Sequence, residues 1–298
     1  MRKAAVLIIL SFIVLVFVGA VTLQSLLILQ RVAAVRDVEG QVAVKARGQD
    51  SFEPIADRSR IYAGDTVRTS GDGRLTLEWL DGTRLAVGPN TLLRVLKCQI
   101  NKANDTETSV FKLDTGSIWI RIIKVLSQKA KFEVATPTAT AGVRGTIFAV
   151  HVAADGATKV SVLEGQVAVT DGQQSQQVNP KTVATVSDRT TAIHDFDEQE
   201  KRTWLEHQNV AEPILRLEAP ADGYQAKAGE TVTIAGQSEK GAKVTVDGKP
   251  VELKLKQRFS TEIAVPKEMA GQKMTVKVEV TDARGHKLTR QLKIEVAE

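Results

Sequence analysis

The chain has 298 residues, with 40 Lys and Arg against 35 Asp and Glu, so a net charge of +5 is spread through mixed-sign stretches. Aromatics make up 4%, too few for the stacking platforms that bases or sugars use, and no nucleic-acid partner is expected. A single cysteine, Cys98, excludes an internal disulfide.

The first element is apolar. Ala4 to Val21 reads AAVLIILSFIVLVFVGAV, and apolar character runs on to Leu29. As a helix, Ala4–Val21 would cover about 27 Å, close to one hydrocarbon core. The reading is a transmembrane anchor over residues 1–30 that reaches the membrane through residues 4–29. A cleaved secretory signal is the competing reading, since Arg2 and Lys3 form a basic n-region and Val18-Gly19-Ala20 offers small residues for cleavage. The run exceeds a usual h-region of about 7–15 residues, which favours the anchor. Only Met1, Arg2 and Lys3 precede it, so everything from Arg31 onward is expected on one side of one membrane. Arg2 and Lys3 before the segment and Arg31, Arg36, Lys45 and Arg47 after it leave the charge bias undecided about orientation.

From residue 31 period-two patterns dominate. Leu75, Leu77 and Trp79 alternate with polar neighbours; Ile118, Ile120 and Ile122 line one face of SIWIRII; Phe148, Val150 and Val152 line one face of TIFAVHV. Six Asp-Gly steps, at residues 72, 81, 155, 171, 222 and 247, predict tight hairpins, because both residues tolerate positive φ. The chain therefore reads as all-β, with a β domain over 31–188. The string EGQVAV occurs twice, at Glu39–Val44 and Glu164–Val169, and predicts two strands of similar shape.

A helical connector is predicted within 189–212. In Asp195–Val210 acids crowd the first turns, where a helix dipole favours them, and Pro213 ends the run. Residues 213–298 then give about seven short strands, with inward positions at Val232/Ile234, Val244/Val246, Val251/Leu253/Leu255, Phe259/Thr261/Ile263/Val265, Val276/Val278/Val280 and Ile294/Val296. That count and spacing suit an immunoglobulin-type β-sandwich without its disulfide.

Three stretches carry a resemblance. Ala63–Leu93 opens Gly-Asp-Thr-Val-Arg-Thr and continues through Asp-Gly-Thr to Gly-Pro-Asn. Leu113–Ile120 reads LDTGSIWI. Val134–Val150 contains Thr-Pro and then Gly-Val-Arg-Gly-Thr-Ile-Phe. In this order they resemble the FecR domain family, and the matching positions are Gly64, Asp65, Thr69, Asp81, Gly82, Gly116, Thr136, Pro137, Gly142, Val143, Arg144, Gly145, Thr146 and Phe148. The C-terminal rhythm is similar to bacterial Ig-like modules of the glucodextranase B type. The resemblance implies an extracytoplasmic, non-catalytic protein. FecR proteins relay a signal from an outer-membrane receptor to a cytoplasmic anti-sigma domain; with three residues before the apolar run, direct sigma-factor binding is not expected here.

No catalytic or cofactor site is expected. His151, His194, His207 and His286 lack metal-ligand spacing, and no nucleophile elbow exists. Asp155 and Asp171 lack the repeated spacing of a calcium loop and read as turns. Arg144, between Gly142 and Gly145, is the most suggestive residue: either a receptor for a partner's carboxylate or a buried guanidinium clamped by Asp65 or Glu78. Trp79 and Trp119 read as core. The functional expectation is an inner-membrane, single-pass envelope protein with residues 31–298 in the periplasm, acting through protein contacts as a sensory or scaffolding module. A cell-wall or glycan-binding protein is the alternative.

Overall fold

Alternating apolar residues do form strands: a computed structural model of the chain is 58% strand and 7% helix. It describes residues 28–104, 106–122, 130–143 and 145–297. The run Ala4–Val21 and Arg144 lie outside the described residues. Ile28 and Leu29, the last two residues of the apolar run, belong to a strand, Ile28–Gln30, paired antiparallel with Gln99–Asn101. A spanning helix would therefore have to finish before Ile28, and Ala4–Val21 alone is long enough for one. Among the described residues no helix is long and apolar enough to cross a membrane.

The chain divides into two units. The first contains the residues up to Leu77 together with Leu85–Asp197; the second contains Glu78–Arg84 and Glu198–Glu298.

In the first unit the strands belong to two hydrogen-bonded ladders that share one long strand, Thr106–Arg121. Its first part, Thr106–Thr115, pairs with Leu92–Asn101 and, in parallel, with Lys131–Ala135. From Gly116 to Arg121 it pairs instead with Ile147–Val152 in the second ladder. Gly116, at φ +92°, is the point of transfer. The core lies between the ladders and includes Val67, Leu93, Phe111, Leu113, Ile118, Phe148 and Val150, all fully buried. Past Gly116 the strand is buried on both faces: Trp119 and Arg121 lie inside as well as Ile118 and Ile120. The sequence reads Ile118, Ile120 and Trp119 as core, and burial of Arg121 is what it does not announce.

The repeated hexapeptide marks a repeated piece of architecture. Strands Ala33–Glu39 and Thr158–Glu164 both end on its glutamate; Gly40 and Gly165, at φ +60° and +79°, turn the chain; and strands Val42–Lys45 and Val167–Thr170 begin on its first valine. In each copy the strand before the turn pairs in one ladder with Arg60–Ile61 or Thr182–Ser187. The strand after it pairs in the other ladder with Glu53–Pro54 or Ser175–Val178. Each copy is thus a four-strand unit whose outer strands pair in one ladder and whose inner strands pair in the other. In both, the return to the outer ladder passes a residue at positive φ, Arg58 or Lys181, whose N–H bonds Val35 O or Val162 O.

Thr190–Asp195, placed within the connector by sequence, is a strand paired with Thr182–Ser187, and the helical stretch comprises Glu198–Glu206 and Gln208–Ala211. Glu200, Trp204 and Val210 form its buried side. The rest of the second unit is two sheets. Leu215–Ala219, Thr231–Ser238 and Arg258–Ala264 form one; Tyr224–Lys227, Lys287–Ala297, Lys273–Thr281, Lys243–Val246 and Lys249–Val251 form the other. Val232, Ile234, Val244, Val246, Phe259, Val276, Val278, Val280 and Ile294 make a continuous aliphatic core, as the alternation predicts.

Two details depart from expectation. Leu255 is 91% exposed, because the chain leaves its strand at Val251 and makes a 3-10 turn at Leu255–Gln257. Asp222-Gly223 is not a hairpin: it links strands of different sheets, where Asp222 Oδ1 accepts Lys293 N–H at 2.8 Å. Asp247-Gly248, with both residues at positive φ, is the two-residue hairpin the sequence predicts.

Candidate functional site

Apart from Asp81 and Gly82, the resemblance positions that can be placed lie in or beside two hydrogen-bonded knots in the first unit. At the first, Thr69 Oγ1 donates to Gly88 O at 2.7 Å and accepts Thr91 N–H at 2.9 Å. Thr91 Oγ1 in turn accepts Ser117 N–H at 3.0 Å and donates to Pro89 O at 3.0 Å. Three separated phrases, Gly-Asp-Thr-Val-Arg-Thr, Gly-Pro-Asn-Thr and Asp-Thr-Gly-Ser, are thereby joined through buried hydroxyls. Gly116 lies against the same knot: a Cβ there would sit 2.2 Å from Thr91 Oγ1. Asp65, also buried, accepts Arg47 N–H at 2.9 Å on one oxygen and Tyr62 N–H at 2.8 Å on the other, closing the turn Tyr62–Asp65 that contains Gly64.

At the second knot Thr136 Oγ1 accepts Ala139 N–H at 2.9 Å and a bond from Thr158 Oγ1 at 2.8 Å. Thr138 Oγ1 reaches Gly156 O at 3.1 Å. Pro137 packs near Gly156. Gly142 and Val143 stand opposite Ala168 and Val167 in the ladder, the second EGQVAV strand. Gly145 has φ +65°, Thr146 is buried, and Phe148 meets the Phe132 ring edge-on at 6.4 Å. In these knots the hydroxyls of Thr69, Thr91, Thr136 and Thr138 and the Asp65 carboxylate bond the backbone, and Thr158 completes the second knot through the Thr136 and Thr138 hydroxyls.

Asp81 and Gly82 belong to the second unit. Asp81 accepts the Thr83 N–H and hydroxyl, at 3.0 and 3.1 Å. The carboxylates proposed as clamps for Arg144 have other partners: Asp65 as above, and Glu78 in a two-pronged pair with Arg216 at 2.5 Å on each prong. The buried guanidinium that the structure does show is Arg121, 1% exposed, on the strand Thr106–Arg121 and opposite Ile147. Alternation hid it, because Arg121 occupies a position that reads as outward in SIWIRII.

Ser117 Oγ lies 2.7 Å from His151 Nδ1, directly across two antiparallel strands, a pairing no sequence motif announced. The Ser117 N–H bonds Thr91 and its carbonyl accepts Gly88 N–H, so the backbone beside this exposed pair is already committed and forms no oxyanion pocket. The other histidines have local partners: His194 bonds Asp195 O, His207 bonds Thr203 O, and His286 bonds Asp282 Oδ2 at 2.8 Å. Asp155 and Asp171 accept backbone N–H groups two and three residues on, as turn residues do. Among the described residues no cluster of His, Cys, Asp or Glu is placed to hold a metal.

Among the described residues, Asp72, Asp171, Glu279 and Glu295 sit below the ordinary carboxylate range. Asp171 is held down by Gln174 and Gln173 N–H groups and the Thr191 hydroxyl, and Asp72 by the Ser70 hydroxyl and Gln41 N–H. Glu279 and Glu295 are held down chiefly by Lys277 and Lys273. The hydroxyls beside Asp72 and Asp171, those of Ser70 and Thr191, donate to the carboxylates along with turn N–H groups, so these shifts report turn and surface chemistry.

A family model described as FecR protein matches residues 65–168. That span contains the second knot and, apart from Arg47, Tyr62 and Gly64 around Asp65, the first. No curated protein matches the chain. Two crystal structures of a candidate anti-sigma factor from Parabacteroides distasonis ATCC 8503 are similar at 17% and 19% identity, each with a TM-score of 0.38. The matched part is 47% of this chain and 63% or 64% of theirs. The N-terminal eight Ig domains of Down Syndrome Cell Adhesion Molecule align with a TM-score of 0.22, at 7% identity over 90% of this chain and 49% of that one. Overlaps of this quality leave the FecR match as the comparison that bears on function.

Proposed function

We propose that this chain is a membrane-anchored envelope protein whose FecR-like unit works as a non-catalytic, regulatory or scaffolding interaction module in the periplasm. The observation that carries the reading is the FecR match over residues 65–168, together with the knots that join its motif phrases. The second unit is read as an immunoglobulin-like sandwich; a three-stranded and a five-stranded sheet around one aliphatic core support it. The apolar run Ala4–Val21 supports the anchor. Alkaline phosphatase fused after Glu298 should be active in cells, and the intact chain should stay in the inner-membrane fraction. In-cell crosslinking from exposed positions of the FecR-like unit should capture one envelope protein reproducibly. An inactive phosphatase with a fluorescent GFP fusion at the same place would reverse the topology. Retention on purified peptidoglycan in place of a protein crosslink would favour a cell-wall binder.

A further inference from the structure

Strand Leu92–Asn101 has an edge flanked in turn by two segments. Tyr62–Arg68 runs beside its first half, where Gly64 N–H bonds Val95 O, and Ile28–Arg31 runs beside its second half, where Arg31 N–H bonds Cys98 O. Between them Leu96 is the extra residue of a β-bulge, since Val95 faces Phe111 and Lys97 faces Val110. Leu96 is 51% exposed, Tyr62 45%, and Ile28 39%. Each of the three segments along this edge thus leaves at least one large apolar side chain open.

The outward face beside them is basic. Lys45, Thr66, Arg94 and Lys112 stand in one row across four neighbouring strands, with Arg68 two residues along from Thr66. Strands of a sheet lie about 4.8 Å apart, so these cations share one small surface. Val67, Leu93 and Leu113, the alternating neighbours, face the core. Asp114 answers Arg94 at 2.8 Å and Lys112 at 3.6 Å. Arg68 lies 4.0 Å from the Phe52 ring centroid and Lys45 5.7 Å from it, and among the described residues neither has a carboxylate partner.

We propose that this face, Lys45, Arg68, Arg94 and Leu96 at its centre, rests on the anionic lipid headgroups of the bilayer that the apolar segment enters. Exposed Leu and Tyr beside unpaired cations is the composition of an interfacial surface: apolar side chains reach the headgroup boundary while Lys and Arg meet phosphate. Continuity selects the occupant. Ile28–Gln30 lies in the same sheet and carries the end of the apolar run, and from its partner Gln99 to Arg94 is about 17 Å along the strand. The face is thus held by its own chain within reach of a membrane. This inference rests on the anchored reading above.

The test uses the full-length chain in lipid nanodiscs, with Leu96→Cys carrying an environment-sensitive fluorophore and the parent chain, whose Cys98 is buried, as the labelling control. Headgroup spin-labelled lipid serves as quencher. Quenching should be strong when phosphatidylglycerol is present, weak in phosphatidylcholine alone, and lost at high salt. Lys45→Glu with Arg68→Glu should weaken the headgroup contact about 30-fold or more, as about 1 kcal/mol for each of the two cations removed implies. A chain retained in discs but showing no phosphatidylglycerol-dependent quenching overturns this proposal and leaves the anchor standing. A chain not retained in discs overturns both. Tight binding of soluble polyphosphate to the labelled face, without lipid-dependent quenching, marks a soluble-polyanion site and overturns the lipid assignment.

Discussion

The two units solve the same problem, holding strands around a core, with different chemistry. The first ties its strands through hydroxyls: buried Thr69, Thr91 and Thr158 and half-buried Thr136 join chain segments 19 to 26 residues apart. The second relies chiefly on Val, Ile and Leu that meet by alternation; its buried Ser238 and Glu239 hold the Ile214 backbone and buried Asp282 closes its own turn, while Asp222 and Asp247 lie exposed at strand ends. A buried hydroxyl is costly unless its partner is in place, so a knot demands particular residues at particular spacings. An aliphatic core demands only size and period. This difference explains why the FecR match falls on residues 65–168 and why the C-terminal unit has rhythm without a signature.

If the knots matter as argued, breaking one should be the largest effect. Gly116→Ala places a Cβ 2.5 Å from the Thr91 Cα, on backbone at φ +92°. The first unit should lose about 4 kcal/mol or more, seen as lost native amide dispersion around Trp119. An aliphatic truncation in the second unit, Ile294→Ala, should cost about 2–5 kcal/mol in chemical denaturation. Thr69→Val keeps the shape but strands Gly88 O and Thr91 N–H, for about 1–3 kcal/mol; a neutral result would show the knot to be incidental.

The acids sharpen the same contrast. The folded pKa values of Asp171 and Asp72 are depressed, so each contributes stability that is present above the ordinary carboxylate pKa, near pH 4, and fades as pH falls through the depressed value. Their donors are N–H and hydroxyl groups without net charge, whereas Glu279 and Glu295 depend on exposed lysines. In an NMR carboxyl titration, added salt should raise Glu279 and Glu295 toward their ordinary values and leave Asp171 and Asp72 nearly still. Equal salt shifts would contradict the assignment of donors. Smallest of all should be Gly142→Ala: its Cβ would meet nothing nearer than Ala168 O at 3.9 Å, so the melting point should barely change, although Gly142 stands in the most recognisable phrase.

Sequence alone determined the strand class, the aliphatic faces of Thr231–Ser238 and Lys273–Thr281, the hairpin at Asp247-Gly248 and the duplicated EGQVAV strand, because alternation and turn propensity are local properties. It also yielded the motif phrases, as strings. Tertiary structure decided the rest: that the two hexapeptides turn the chain between ladders in the same way, that Thr91 is the hub joining three phrases, and that Thr106–Arg121 changes ladders at Gly116 and is covered on both faces beyond it. It also paired Glu78 with Arg216, residues separated by 138 positions. Period-two patterning says which residues share a side of a strand. What covers that side, and which distant hydroxyl or carboxylate completes it, depends on strand pairing across the fold, which no local pattern encodes.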